Sequence, residues 1–168
     1  MLKENLLSIY ADSFKDHWSL PALTDYITKE TLTYGDFAKS IAYYHLLFEQ
    51  LGIKPGDKIA LMGKNTTTWV TVFMSTITYG AVIVPVLQEF NPRDAQHIIN
   101  HSDADLLFVS NNLWETFEFE KIRGVRDKIM LVINGIFFCY IATLCDNCLL
   151  ASFMSVNNFL IKSSSEYI

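Results

Sequence analysis

The sequence of 168 residues predicts an α/β fold: a doubly wound, mostly parallel sheet flanked by helices, with an early β-hairpin. Three observations predict it. Short apolar runs, rich in β-branched residues, recur at residues 58–62, 81–86, 105–109 and 128–133, as strands buried on both faces do. Helical patterns stand between most of these runs, opened by capping residues and closed by turn residues. The loops around the helix that follows residue 62 are too short to fold the next strand back as a hairpin. A right-handed parallel crossover is the simplest closure.

Residues 1–18 mix Leu2, Leu6, Ile9, Tyr10 and Phe14 with Lys3, Glu4, Asp12 and Lys15. This reads as an amphipathic helix rather than a signal peptide, because no uninterrupted apolar region is present. Residues 21–34 hold two alternating runs around Thr28-Lys29-Glu30, the pattern of a hairpin. Gly35-Asp36 opens a helix in which Phe37, Ile41, Tyr44, Leu47, Phe48 and Leu51 fall at helical spacing, and Gly52 ends it. The turn Lys54-Pro55-Gly56-Asp57 leads into the strand at 58–62. Asn65 is the expected cap of a helix that buries Val70, Phe73, Met74 and Ile77 and stops at Gly80, a left-handed C-cap. Strand 81–86 carries Pro85 near its end. Asn91 as cap and Pro92 at the first helical position start the next helix, with Ile98 and Ile99 on its apolar face and an end near His101-Ser102. Strand 105–109, a weaker helix over 113–122 and strand 128–133 complete the pattern.

The formal charge of −5, with no Lys/Arg cluster, argues against a nucleic-acid binder. Cys139, Cys145 and Cys148 are confined to the C-terminal fifth, so the body is built without disulfides and a cytoplasmic origin is expected. The sequon Asn65-Thr66-Thr67 is read as chance.

Several pieces occur in an informative order: Leu32-Thr33-Tyr34-Gly35-Asp36-Phe37, then Leu51-Gly52-Ile53-Lys54-Pro55-Gly56-Asp57-Lys58-Ile59-Ala60, then Asn65 and Trp69. Tyr79-Gly80-Ala81-Val82-Ile83-Val84-Pro85, Asn91-Pro92 and His101-Ser102-Asp103-Ala104-Asp105-Leu106 follow. Together, over roughly residues 20–133, they resemble the amino-terminal part of the AMP-binding, adenylate-forming enzymes, and among them the acyl-CoA synthetases. Where the family often has Glu before the Trp, this chain has Thr68. With Asn65 as cap, that change removes a reciprocal capping box, at a cost of about 0.5–1 kcal/mol.

The resemblance implies a two-step reaction. ATP and a carboxylic acid give an acyl-adenylate and pyrophosphate, and the thiol of coenzyme A then takes the acyl group. It also implies magnesium, a Ser/Thr-Gly-rich phosphate loop bearing Lys, an aromatic-Gly-x-Thr-Glu segment, a ribose-binding Asp and a late catalytic Lys. None of these motifs occurs in the chain. The resemblance therefore implies the opening piece of a fatty-acid CoA ligase, inactive alone, with no catalytic, cofactor-binding or metal-binding residue assigned. ATP, magnesium and coenzyme A, with fatty acid as substrate, are implied only for the full-length family. The open sheet edge left by missing strands predicts self-association.

Other candidates have plainer readings. Gly63-Lys64-Asn65-Thr66 sits where anions bind in α/β sheets, but the Walker pattern needs glycine where Lys58 stands and Ser/Thr where Asn65 stands. It is read as a capped helix with a surface lysine. His97 and His101 have a zinc-compatible spacing, yet no Glu follows His97 and no third ligand is in sight. The spacing alone is read as two surface histidines favoured by the helix dipole. Cys145-Asp146-Asn147-Cys148 is a lone CxxC pair, read as incidental thiols.

Between residues 129 and 161 the only charged residue is Asp146, and neither helical nor strand periodicity holds. Its first part, residues 129–144, is short of the ~20 residues a bilayer span needs. Residues 1–133 are expected to form a truncated family domain. Residues 134–168 are expected to be an apolar non-family tail, such as a frameshift or early stop produces. The competing class is a non-enzymatic α/β interaction module whose tail anchors it to a membrane or partner.

Overall fold

The computed structural model describes residues 6–132 and 135–136, with side chains as far as Arg126. Helix α1 (Leu6–Asp16) leads to a hairpin of β1 (Pro21–Thr24) and β2 (Thr31–Thr33), paired antiparallel as expected. The hairpin turn is closed by Asp25, whose Oδ1 accepts the N–H groups of Ile27 at 2.8 Å and Thr28 at 2.9 Å. Those backbone donors, Thr28 foremost, hold its carboxyl below the ordinary range. None of the α1 residues is buried, so its apolar stripe is largely solvent-facing. Phe14 anchors it, with its ring 5.4 Å from those of Tyr34 and Phe37.

Helix α2 (Tyr34–Gln50) begins with a capping box: Thr33 Oγ1 accepts Asp36 N–H at 3.1 Å, and the Asp36 carboxylate accepts the Thr33 N–H in return. The Thr33 hydroxyl, donating to Asp36 at 2.7 Å, is the largest reason the Asp36 carboxyl lies below its usual range. Gly35 is required here because a Cβ would stand 2.7 Å from the Trp18 indole.

The main sheet follows. Strand β3 (Lys58–Met62), helix α3 (Thr67–Tyr79) and strand β4 (Val82–Val86) make the predicted parallel crossover, with Lys58 opposite Val82 and Leu61 opposite Pro85. Helix α4 (Pro92–Ser102), capped by Asn91 with Pro92 at its start, leads to β5 (Leu106–Ser110), which pairs parallel on the other side of β3. Strand β6 (Asp127–Val132) adds beside β5, and the two-residue β7 (Gly135–Ile136) turns back antiparallel. The order is β4-β3-β5-β6-β7. Pro85 lies on the edge strand β4, where a missing ladder donor is tolerated.

Both faces of the sheet are covered, which is the doubly wound expectation. On one face Ile59, Leu61, Leu106 and Phe108 pack against Tyr44, Leu47 and Phe48 of α2 and Val72 of α3. On the other, Ala60, Met62, Leu107 and Val109 meet Ala95 and Ile99 of α4 and Phe117, Ile122 and Val125. The alternation along β3 and β5 is thus apolar on both sides, so the runs carry no polar phase.

Three expectations need correction. The cap of α3 is Thr66, not Asn65: Thr66 is extended (φ −107, ψ 171) and its Oγ1 accepts Trp69 N–H at 3.2 Å. Thr68 is then the second helical residue, outside capping-box register, and the cost assigned to its replacing Glu does not arise. The buried face of α3 is Thr71, Val72, Met74, Ser75 and Thr76, while Val70, Phe73 and Ile77 are only half-buried. Its polar members are accommodated because Thr71, Ser75 and Thr76 donate to carbonyls four residues back. The expected helix over 113–122 is instead a four-residue α5 (Asn111–Trp114) and a 3₁₀ turn at Phe119–Lys121. Phe119 stands between Trp114, tilted against it with centroids 4.3 Å apart, and Phe117, stacked on it at 5.8 Å, and these ring contacts replace helical periodicity as the packing device.

The Tyr44 hydroxyl is buried and has no hydrogen-bond partner among the described residues, and burial raises its phenol pKa. Tyr44→Phe should therefore stabilise the domain by about 1 kcal/mol, by removing a desolvated group that gains nothing. A higher urea midpoint at unchanged slope is the expected result, and a lower midpoint would refute it.

Candidate functional site

Strand β3 leads through α3 to β4 on one side, and β4 leads through α4 to β5 on the other. That reversal makes a switch point between β3 and β5, and ligands of open α/β sheets bind outside the carboxyl ends of strands at such a point. Here the crevice is made by Gly63, Lys64 and Thr66 after β3, and by Ser110, Asn111 and Asn112 at the end of β5.

Gly63 is buried against Ser110; a Cβ on it would lie 2.9 Å from Ser110 Cβ and 3.2 Å from Ser110 Oγ. Ser110 Oγ donates to Asn112 Oδ1 at 2.7 Å, and Asn112 N–H donates to Asn111 Oδ1 at 2.9 Å. The polar groups of the crevice thus bond to one another. Lys64 is exposed, and its carbonyl accepts Thr66 N–H at 2.8 Å. The loop has the location of a phosphate cradle without its extended glycine run. Nothing in the sequence near Gly63 points to Ser110; only the topology, bringing β5 beside β3, joins them.

The charged groups gather at the opposite end of the sheet. Arg126 reaches Asp57 Oδ2 at 3.2 Å and Asp105 Oδ1 at 3.5 Å. Lys58 N–H donates to Asp105 Oδ2 at 3.2 Å, and Lys58 Nζ donates to the Ser102 carbonyl at 2.7 Å. These bonds tie the amino ends of β3, β5 and β6 together. Lys58, at the position where a phosphate loop needs its first glycine, is at this far end.

The histidines separate into two kinds. His45 Nε2 donates to the Ser75 carbonyl at 3.1 Å and lies 3.0 Å from Thr78 Oγ1, tying α2 to α3. His17 Nδ1 donates to the Ser13 carbonyl at 3.0 Å. His97 and His101 are both exposed on α4, with ring centroids 6.1 Å apart and ring planes within 2°. No group of three or more His, Cys, Asp or Glu side chains comes together among the described residues. Cys139, Cys145, Cys148 and most of the apolar tail lie outside those residues. Among the described residues no helix is long and apolar enough to cross a membrane.

A magnesium–ATP complex needs carboxylates or hydroxyls on the metal and a run of free backbone donors on the phosphates. The crevice at β3 and β5 has no carboxylate, and the Thr66 hydroxyl already accepts from its own helix. The residues of this crevice do not fit that group.

A family model described as AMP-binding enzyme matches residues 11–137. Luciferin 4-monooxygenase of Photuris pensylvanica is 26% identical over 143 residues, which are 85% of this chain and 24% of that protein. A long-chain-fatty-acid–CoA ligase of Escherichia coli O6:H1 is 26% identical over 116 residues, 68% of this chain and 20% of the ligase. The chain thus spans about a quarter or less of the length of these relatives. Among solved structures, the anthranilate CoA ligase AuaEII in complex with anthranoyl-AMP superposes with a TM-score of 0.71 at 17% identity, over 78% of this chain and 25% of that one. The N-terminal domain of FACL13 from Mycobacterium tuberculosis gives 0.70 at 19% identity, over 76% of this chain and 33% of that one.

Proposed function

The chain belongs to the AMP-binding enzyme family, and from that premise we propose that it is the amino-terminal portion of an ATP-dependent acyl-CoA synthetase acting on a fatty acid. In the proposed reaction a carboxylate oxygen attacks the α-phosphorus of ATP and pyrophosphate leaves. The thiol of coenzyme A then attacks the acyl carbon and AMP leaves. Residues 1–133 supply scaffold: one parallel sheet, its two helical layers and the hairpin. The groups that act on ATP, the acid and the thiol belong to the remainder of the family domain, and the chain alone is inactive. Residues 134–168 are assigned to a tail outside the family pattern, although the family match itself runs on to residue 137, four residues into that segment. The same reading places the protein in the cytoplasm, in keeping with a body that carries no cysteine before Cys139. It also includes self-association at the β4 edge, where Val82 is 48% exposed.

The observation that carries the reading is the family match over the whole of the β3-to-β6 unit, in chain order. Its test is fatty-acid-dependent exchange of labelled pyrophosphate into ATP. The chain alone is expected to give none, and exchange by it would overturn the scaffold assignment. A chimera placing residues 11–137 into the matched segment of the Escherichia coli ligase is expected to exchange. A chimera that folds, by circular dichroism and gel filtration, yet gives no exchange would count against the ligase reading.

A further inference from the structure

We propose that His97 and His101 form an exposed two-histidine site for a borderline divalent transition cation such as zinc, nickel or copper(II). The site is independent of the ligase reading. Spacing alone did not separate it from two dipole-favoured surface histidines, and the structure adds three facts. Both residues lie on the solvent side of α4, one turn apart, while Ala95, Gln96 and Ile99 hold the other side to the sheet. Their rings lie side by side, with centroids 6.1 Å apart and planes within 2°, so the two imidazoles share one patch of the surface. Among the described residues, neither ring is taken up by a hydrogen bond of the kind that occupies His17 and His45.

Residues four apart on a helix have Cβ atoms about 5–6 Å apart, close enough for two imidazole nitrogens to bind one ion at about 2.0–2.1 Å. The ring-nitrogen lone pairs lie in the ring planes, so bringing both onto one cation takes rotation of these exposed side chains. Imidazole nitrogen suits zinc, nickel and copper(II) and leaves calcium and magnesium to oxygen ligands. With two protein ligands, water completes the coordination, so the ion exchanges readily. The bound ion bridges successive turns of α4, and because it binds the folded helix it stabilises the sheet layer that α4 covers.

The test is calorimetric titration of zinc chloride into the chain carrying Cys139→Ser, Cys145→Ser and Cys148→Ser, which removes thiolates that would compete for the metal. One zinc per chain is expected, with a rise in melting temperature at saturation. His97→Ala and His101→Ala should each weaken binding by about tenfold or more, because the chelate is lost and one imidazole remains, and the double variant should lose the one-zinc stoichiometry altogether. Circular dichroism without metal should match the parent for all three, separating lost binding from lost folding. Zinc affinity unchanged in either single variant would overturn the site, as would a stoichiometry that survives the double variant.

Discussion

Phe48→Ala should cost about 3–5 kcal/mol, the range for deleting a large aromatic from a core that relaxes only partly. Phe48 is 0% exposed and joins three elements, α2, α3 and β5, in one aromatic cluster. Its ring centroid lies 5.4 Å from that of Tyr79 on α3, edge to face at 75°. It lies 6.3 Å from Tyr44 on its own helix and 6.3 Å from Phe108 on the central strand β5. Truncation therefore opens a void touching two helices and the sheet at once. Against a typical domain stability of about 5–15 kcal/mol, the loss removes a large share of the margin and, at the low end of that range, nearly all of it. Urea denaturation followed by near-ultraviolet circular dichroism checks it. A loss under about 1 kcal/mol would show that α2 is not clamped to the sheet through this residue.

Gly63→Val should be the next most damaging change, by about 1–3 kcal/mol, through overpacking rather than a void. The Cβ position lies 2.9 Å from Ser110 Cβ, an atom one bond from the β5 backbone. Neither strand can yield without disturbing the parallel register that pairs Met62 with Val109. The specificity of the clash is open to a double-mutant cycle: Ser110→Gly should recover a substantial part of the loss caused by Gly63→Ala. If the two losses simply add, the contact does not limit the approach of the two strands.

How much of this was legible before the structure depended on where the controlling contact lay in sequence. The four parallel strands were readable because each is a short apolar run bounded by turn residues, and strands buried on both faces show little else. The cap Asn91, with Pro92 behind it, was readable because the signal spans two adjacent residues. Thr66 was missed for the opposite reason. Asn65 and Thr66 are both good caps, and which one is used depends on where the loop leaves Gly63, a position held by Ser110 from β5. The stretch from Leu113 to Ile122 looked helical because its apolar residues are dense. Its aromatic rings satisfy their packing against one another through Phe119, which requires no helix. The crevice at β3 and β5 was anticipated only from the β3 side, because half of it is contributed by a strand more than forty residues later.

The strand order bears on how the chain acquires this structure during synthesis. Lys58–Met62 is the first strand of the main sheet to leave the ribosome, yet it becomes an interior strand with neighbours on both sides. Its pairing with Val82–Val86 is a short-range closure through one helix, available as soon as that segment emerges. Its second edge has no partner until Leu106–Ser110 follows, after the whole of α4 has been made. Through that interval the nascent chain carries an open parallel edge of Ile59, Ala60, Leu61 and Met62, the kind of surface that chaperones hold and aggregates recruit. The layout of the sheet thus leaves one edge of β3 to be satisfied only when β5 arrives.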